Sequence, residues 1–359
     1  MLTLGVDAHK QIHVAIAVDD VGREFGRWRG QNSPEGWGEL AAWAQELDEA
    51  RQWGIEGAWN YGRGLAQFLV DAGEIVYEVN ARWTAEGRRR ARRPGKTDPL
   101  DARAVALFVR QEAPNLPRVT TDDVTAILDL LTSQRESLVV ETTRLRNQLH
   151  ALLLQIDPQY KDRLPGLETK AALAALETYE AADPAPLQRE RAAIVRQVAR
   201  RLRLAVDQAA ELGRQVRTHT KNAGFSSLTS IEGVGLLLAG TLAGILGPGI
   251  RFTSDAQLAA YAGVAPLEAS SAGLVRHRLN RGGNRRLNSV LHMIALTQLR
   301  SWEPARKYVA KRLAEGKTKR EAMRALKRFL ARAVWNAWKK CIASQKDRAS
   351  AESESTSPQ

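Results

Sequence analysis

The sequence predicts an α/β domain with a mixed sheet at the N-terminus, then a long helical middle and a mostly α-helical C-terminal third. Three observations carry this. Short apolar segments of strand and helix periodicity alternate over roughly the first 110 residues, Asp122 to Ile156 keeps helical spacing throughout, and Arg276 to Lys340 is densely basic. That last stretch holds nineteen Lys or Arg against three acids, a net of +16, while the whole 359-residue chain carries +13. The remainder is therefore slightly acidic, and the basic surface is localised. Such a surface takes a polyanion, either nucleic acid through phosphate neutralisation or an acidic membrane face. With 44% hydrophobic residues, 26% charged residues and 13 prolines, wholesale disorder and collagen-like structure are excluded.

Taken in order, Leu2 to Asp7 reads as a strand and Ile12 to Val18 as a second, after a short turn at Ala8 to Gln11. Phe25 to Trp28 adds a third. Pro34 to Gln45 has helical spacing behind a Ser33-Pro34 start, with Trp37, Leu40, Ala41 and Ala44 on one face. Trp53 to Ala58 is a short strand whose apolar run ends at Glu56. Gly64 to Ala72 is a helix, Ile75 to Asn80 a strand and Asp98 to Arg110 a helix. A strand hairpin followed by alternating helix and strand suits a mixed sheet.

In the middle, Val124, Leu131, Leu138, Leu145 and Leu152 recur every seven residues, with Leu128, Leu149 and Ile156 offset by four. A second helix spans Leu187 to Thr218. The two helices form either an antiparallel pair packed on itself or an oligomerisation arm, and the periodicity serves both. Leu228 to Gly263 is apolar and glycine-punctuated, Ala265 to Gly283 loop-like, and Asn284 to Lys340 helical. The Ser, Glu and Ala composition from Ser344 onward predicts a disordered tail. The expected domains are 1–115, 116–222, 223–343 and a tail at 344–359.

Val234 to Ile250 is the longest weakly polar run, and Gly240, Gly244, Gly247 and Gly249 break it short of a bilayer span. That favours nucleic acid over lipid as the partner, with no membrane segment expected. The single cysteine, Cys341, makes neither an internal disulfide nor a cysteine zinc site, and Met1 to Lys10 lacks the charged start of a signal peptide. A reducing, cytoplasmic setting is expected.

Chemistry enters with four carboxylates. Asp7 and Glu56 each end an apolar strand, and Asp98 and Asp101 sit at i and i+3 where a helix begins, on one helical face. With the strands adjacent and the helix across their ends, all four converge. Such a cluster repels itself until cations neutralise it, and hard oxygen ligands suit Mg2+ or Mn2+. Each acid also has a structural explanation: Asp98 as a helix cap, Asp101 as a first-turn charge on the helix dipole, Asp7 as the start of a turn. Glu56 between Gly54 and Gly57 is the hardest to account for that way.

Gly5-Val6-Asp7-Ala8-His9-Lys10, Gly54-Ile55-Glu56-Gly57 and Lys96-Thr97-Asp98-Pro99-Leu100-Asp101-Ala102 together resemble the DEDD, RuvC-like transposases of the insertion sequence 110 group. The resemblance covers about the first 110 residues. It implies an RNase H-like fold in which Asp7, Glu56, Asp98 and Asp101 bind two divalent ions. Just ahead of the last motif, Arg82, Arg88, Arg89, Arg90, Arg92, Arg93 and Lys96 crowd together, and their place beside the acids points to phosphate contact.

Further on, Ala262-Gly263-Val264-Ala265-Pro266, Ala269-Ser270-Ser271-Ala272-Gly273 and Arg281-Gly282-Gly283-Asn284-Arg285-Arg286-Leu287 look like the C-terminal transposase domain of the same group. The resemblance implies an essential serine. It maps to Ser271, with Ser270 in reserve because Ala272 stands where glycine is usual. Arg276, Arg278, Arg281, Asn284, Arg285 and Arg286 surround this stretch and suit a phosphodiester. Leu228 to Gly235 resembles a helix-hairpin-helix turn, in which Gly233 and Gly235 let backbone amides approach a phosphate.

The expected function is a DNA recombinase that mobilises an insertion sequence through a transient serine-DNA bond. The resemblance also implies a structured non-coding bridge RNA that chooses donor and target DNA, and a homo-oligomer, dimer or tetramer. Two rivals stand beside it: a metal-dependent junction nuclease with water as nucleophile, and a non-enzymatic nucleic-acid scaffold.

Overall fold

The computed structural model describes residues 1–81, 83–84, 97–182, 185–268, 277–278, 280 and 282–355. Five strands, β1 (Leu2–Ala8), β2 (Ile12–Val18), β3 (Glu24–Gln31), β4 (Arg51–Glu56) and β5 (Val76–Val79), form one mixed sheet in the order β3-β2-β1-β4-β5. The hairpin pairs β1, β2 and β3 are antiparallel, whereas β4 and β5 run parallel to β1. This is the RNase H-like architecture expected from the sequence.

Strand alternation assigns the two faces. Leu4, Val6, Ala15, Ala17, Trp53 and Ile55 pack with α1 (Pro34–Leu47) and α2 (Arg63–Asp71), through Leu40, Ala44, Leu65 and Leu69. Val14, Ile16 and Val18 meet Ala102 and Ala106 of α3 (Asp98–Glu112), and Tyr77 and Val79 meet its Val105 and Val109. Helix α1 begins as its sequence requires, with Ser33 accepting a hydrogen bond from the Gly36 amide and proline in the first turn.

Two glycines set how closely α3 lies on the sheet. A Cβ on Gly5 would stand 2.2 Å from Ala102 O and from Ala106 N, and one on Gly54 would stand 2.3 Å from a Val109 methyl. Bare backbone at both positions lets the helix rest flat on β1 and β4.

By contacts the chain divides into two compact units, residues 1–125, 227–235 and 245–359 in one and 126–226 with 236–244 in the other. The helices that follow are α4 (Val124–Ile156), α5 (Tyr160–Arg163), α6 (Lys170–Glu177), α7 (Pro186–Asn222) and α8 (Leu236–Leu246). In the second unit, α4 packs along α7 in antiparallel fashion: Leu138 meets Ala205 and Ala209, while Leu145, Leu149 and Leu153 meet Val195, Val198 and Leu202. The threonines that interrupt this seam are satisfied locally, Thr132 donating to Leu128 O at 2.6 Å and Thr142 to Val139 O at 2.8 Å. Leu138 and Leu145 are thus internal packing residues.

The C-terminal region of the first unit is mostly helical, with α9 (Asp255–Tyr261), α10 (Arg285–Ser301), α11 (Glu303–Ala314) and α12 (Lys319–Ser355), joined by a ribbon of Leu267–Glu268 paired with His277–Arg278. Asp255 at the start of α9 accepts from Arg328 at 3.0 Å and Arg332 at 3.2 Å on α12. Helix α12 runs on to Ser355, over residues whose composition predicts a disordered tail from 344. Ala, Glu, Lys and Gln propagate a helix already nucleated upstream at little cost. Among the described residues, no helix is long and apolar enough to cross a membrane.

Candidate active site

Asp7 and Glu56 are register partners on the parallel pair β1 and β4. Each lies two residues beyond one of the glycines that seat α3, so both acids share the sheet face on which that helix rests. Helix α3 has Thr97 at its cap and Asp98 and Asp101 in its first turn. Asp101 is buried, while Asp98 is half open to solvent. Because the helix lies flush against Gly5, its first turn arrives over the end of β1.

The tightest convergence is Asp7, His9 and Asp98, whose ligand atoms all lie within 4.8 Å of one another. His9 Nε2 stands 3.1 Å from Asp7 Oδ2 and 3.4 Å from Asp98 Oδ1. Burial pushes the Asp7 carboxyl above its ordinary range; nearby Asp101 and Asp98 add to that, and His9 opposes it. Asp101 therefore bears on Asp7 through space without belonging to the three-residue cluster. Glu56 lines the same cleft as Asp7, a cavity of about 400 Å³ that Trp59, Asn60, Tyr61 and Glu78 also wall. Its Oε2 accepts from the buried Thr84 hydroxyl at 3.1 Å.

The donor set fits a divalent cation. Hard carboxylate oxygens and one imidazole nitrogen face each other, and an acid strained by neighbouring carboxylates is relieved when a cation arrives. The structure thus holds a cluster able to coordinate one metal ion. His9 and Thr84 were not anticipated as site residues. For His9 the signal was present, since a residue two positions after a strand acid projects to the same side. For Thr84 there was none.

The basic and serine segments divide differently. Arg82, Arg88, Arg89, Arg90, Arg92, Arg93, Lys96, Ser270, Ser271, Arg276 and Arg281 lie outside the described residues. Arg278 pairs with Leu267 in the ribbon whose strands bracket 269–276. Asn284 caps α10, its Oδ1 accepting from the Leu287 amide and its Nδ2 donating to the Tyr261 hydroxyl, both at 2.9 Å. Arg285 is exposed and Arg286 half-buried. Gly233 has φ +83°, the left-handed conformation that glycine permits, and the space around Gly235 is open.

The family description DEDD transposase, IS110 type, matches residues 4–158, and the description transposase of the IS116/IS110/IS902 family matches residues 226–311. The chain is 27% identical to the insertion element IS116 uncharacterized 44.8 kDa protein of Streptomyces clavuligerus, over 92% of this chain and 93% of that protein. It is 30% identical to the insertion element IS110 uncharacterized 43.6 kDa protein of Streptomyces coelicolor, over 65% of this chain and 68% of the relative. An insertion element IS900 protein of Mycobacterium paratuberculosis is 25% identical over 92% and 94% of the two chains. With an RNase H-like sheet, a cation-ready acidic and histidine cluster at the end of its central strand and these relatives, the chain is a metal-dependent phosphoryl-transfer enzyme and belongs to the IS116/IS110/IS902 family of insertion-sequence transposases.

Proposed function

We propose that this protein cleaves and rejoins DNA to mobilise an insertion sequence, with the cleft at Asp7 and Glu56 as the site of phosphoryl transfer. The observation that carries the reading is the meeting of Asp7, His9 and Asp98 at the end of the sheet's central strand. Asp7, Glu56, Asp98 and Asp101 are proposed to hold two Mg2+ or Mn2+ ions, with His9 Nε2 as an additional donor. Bound divalent cations supply charge neutralisation at the scissile phosphate. The protein's own residues orient the strand, and the basic segments hold its backbone.

Ser271 is the proposed nucleophile, with Ser270 the alternative. Its Oγ–P bond forms as the P–O bond to one DNA strand breaks. The hydroxyl proton leaves to solvent, and the freed strand oxygen takes one up. The number of phosphodiester links is unchanged, so reversal rejoins DNA without an external energy source. The acidic cleft serves a water nucleophile equally well, and it is the part of the site described directly. A metal-dependent junction nuclease is therefore the second reading.

The decisive experiment incubates the protein with its own element's DNA end and Mg2+, then denatures the mixture and maps any peptide carrying a nucleotide. A remnant on Ser271, absent in Ser271→Ala, supports the serine intermediate. Metal-dependent cleavage with no adduct on either serine supports water. Full cleavage by Asp7→Asn would sink both. The family resemblance extends the proposal to a structured non-coding RNA that selects donor and target, a dimer or tetramer, and a cytoplasmic, nucleoid-associated location. Recombination that survives complete ribonuclease digestion removes the RNA.

A further inference from the structure

A cavity of about 830 Å³ opens between α10 and α12. Arg285, Lys319, Arg320, Arg324 and Lys327 line it, and among the described residues no aspartate or glutamate does. Helical spacing builds the wall: Arg320, Arg324 and Lys327 stand at i, i+4 and i+7 on α12. Exposure falls inward. Arg285, Lys319 and Arg320 are open at the mouth, Arg324, Met323 and Leu296 are half-buried, and Lys327 is 9% exposed.

Lys327 is the informative member. Its Nζ donates to Asn288 Oδ1 at 2.8 Å, and the Asn288 amide nitrogen donates to Ala262 O at 2.8 Å, which turns the amide oxygen toward the ammonium. Among the described residues, its polar partner is a neutral amide and not a carboxylate. Burial, with the charge of Arg324 added, holds the Lys327 amine below the ordinary lysine range. Arg324 has Glu321 at 3.9 Å, and Glu321 lies outside this lining. A buried cation without an anion is costly, and an arriving anion recovers that cost.

Size and floor select the anion. The volume lies within the small-ligand range of about 300–1,000 Å³, which takes a short run of one strand and not a double helix. Met323 and Leu296 give an apolar floor between the cations, the setting in which an unstacked base and its sugar are held. We propose that this cleft binds an unpaired nucleic-acid strand, with phosphates on Arg320, Arg324 and Lys327 and a base against Met323 and Leu296. The proposal rests on the nucleic-acid-processing reading above and adds a strand type and a location.

The test measures binding of the intact protein to a single-stranded DNA, a single-stranded RNA and a duplex DNA of equal length. Divalent metal is omitted, so cleavage plays no part. The double variant Arg320→Gln/Arg324→Gln and the single variant Lys327→Met should each weaken single-strand binding about tenfold. Each lost contact should lower the log–log salt slope by about 0.7. Duplex affinity should hold. The larger loss, on DNA or on RNA, names the source of the strand, and either supports the cleft. Equal losses on duplex overturn the strand assignment, and unchanged affinity overturns the cleft.

Lys327→Met should also raise the melting temperature at neutral pH while lowering affinity. A fall in both marks a merely structural lysine and overturns its role. Failure here is separable from failure of the transposase reading. If wild-type protein cleaves while the variants bind normally, only the cleft is lost. If wild-type protein never cleaves while the variants lose single-strand binding, only the transposase reading is lost.

Discussion

Arg251 Nη2 and Glu78 Oε2 meet at 2.7 Å, with both side chains nearly closed to solvent. The guanidinium also donates to Ile245 O at 2.7 Å and to the Tyr261 hydroxyl at 3.1 Å, and it stands over the rings of Trp59, Phe252 and Tyr261. Glu78 is part of the wall of the acidic cleft, and Tyr261 is bonded to the cap of α10 through Asn284. One ion pair thus joins the five-stranded sheet, through Tyr261 and Asn284, to the start of α10.

Glu78→Gln leaves that guanidinium buried without its counter-charge, and removing one partner of such a pair costs about 3–5 kcal/mol. Urea unfolding should show a loss near the lower end, because Ile245 O and the Tyr261 hydroxyl remain as acceptors. A loss under about 1 kcal/mol would place the pair among solvent-screened ones.

Asp7→Asn should reduce DNA cleavage at least about a hundredfold, a loss that even outer-shell changes at metal sites reach. It should not destabilise the metal-free protein, because ionised Asp7 is disfavoured by burial and by Asp101 and Asp98. Calorimetric melting without metal checks the second half, and a lower melting temperature contradicts it. His9→Ala should weaken Mn2+ binding about tenfold in titration calorimetry, consistent with loss of one donor among several.

His13, fully buried on β2, titrates below its ordinary value of 6.5 because burial disfavours its charged form. Between that depressed value and 6.5 the unfolded chain holds more protons than the folded one, so stability rises with pH across the window and is lost as pH falls through it. Urea midpoints measured from pH 7 downward should drop more steeply for wild type than for His13→Leu. Parallel curves would assign the acid sensitivity to another group.

Leu145→Ala should cost about 2–5 kcal/mol, since Leu145 is fully enclosed between α4 and α7. Val140→Lys on the open side of α4, where the side chain is 70% exposed, should stay within about 0.5 kcal/mol. Equal effects in denaturant titrations would mean that the seam is misassigned. Lysine at Leu145 should unfold the helical pair and not simply split an assembly.

Much of this was legible from residue order. β2 runs Ile12–Val18 as its apolar run predicts, and α3 begins at the Asp-Pro step. β3 extends well beyond Phe25 to Trp28, because an edge strand with one face open lacks the full apolar run that marks a buried one. The positions of Asp7, Glu56, Asp98 and Asp101 were legible because strand ends and a helix start are local signals. The Arg251 to Glu78 pair was not, since 173 residues separate the partners and neither has a distinctive local pattern. The same holds for Thr84 against Glu56, 28 residues away.

The clearances at Gly5 and Gly54 have a mechanical consequence for the cluster above them. An acid carried on a flexible side chain can follow a larger or smaller ion by changing rotamer, but Asp98 and Asp101 ride on a helix whose axis rests on bare backbone. The spacing between the two halves of the acid set is therefore set by main-chain atoms of α3 against Gly5 and by the Val109 methyl against Gly54. Gly5→Ala would act as a shim, lifting the helix bodily and widening the jaw at Asp7 and Asp98 together. In the proposed metal site, tolerance for cation radius would then depend on how thin the polypeptide is at two positions as well as on the acids themselves.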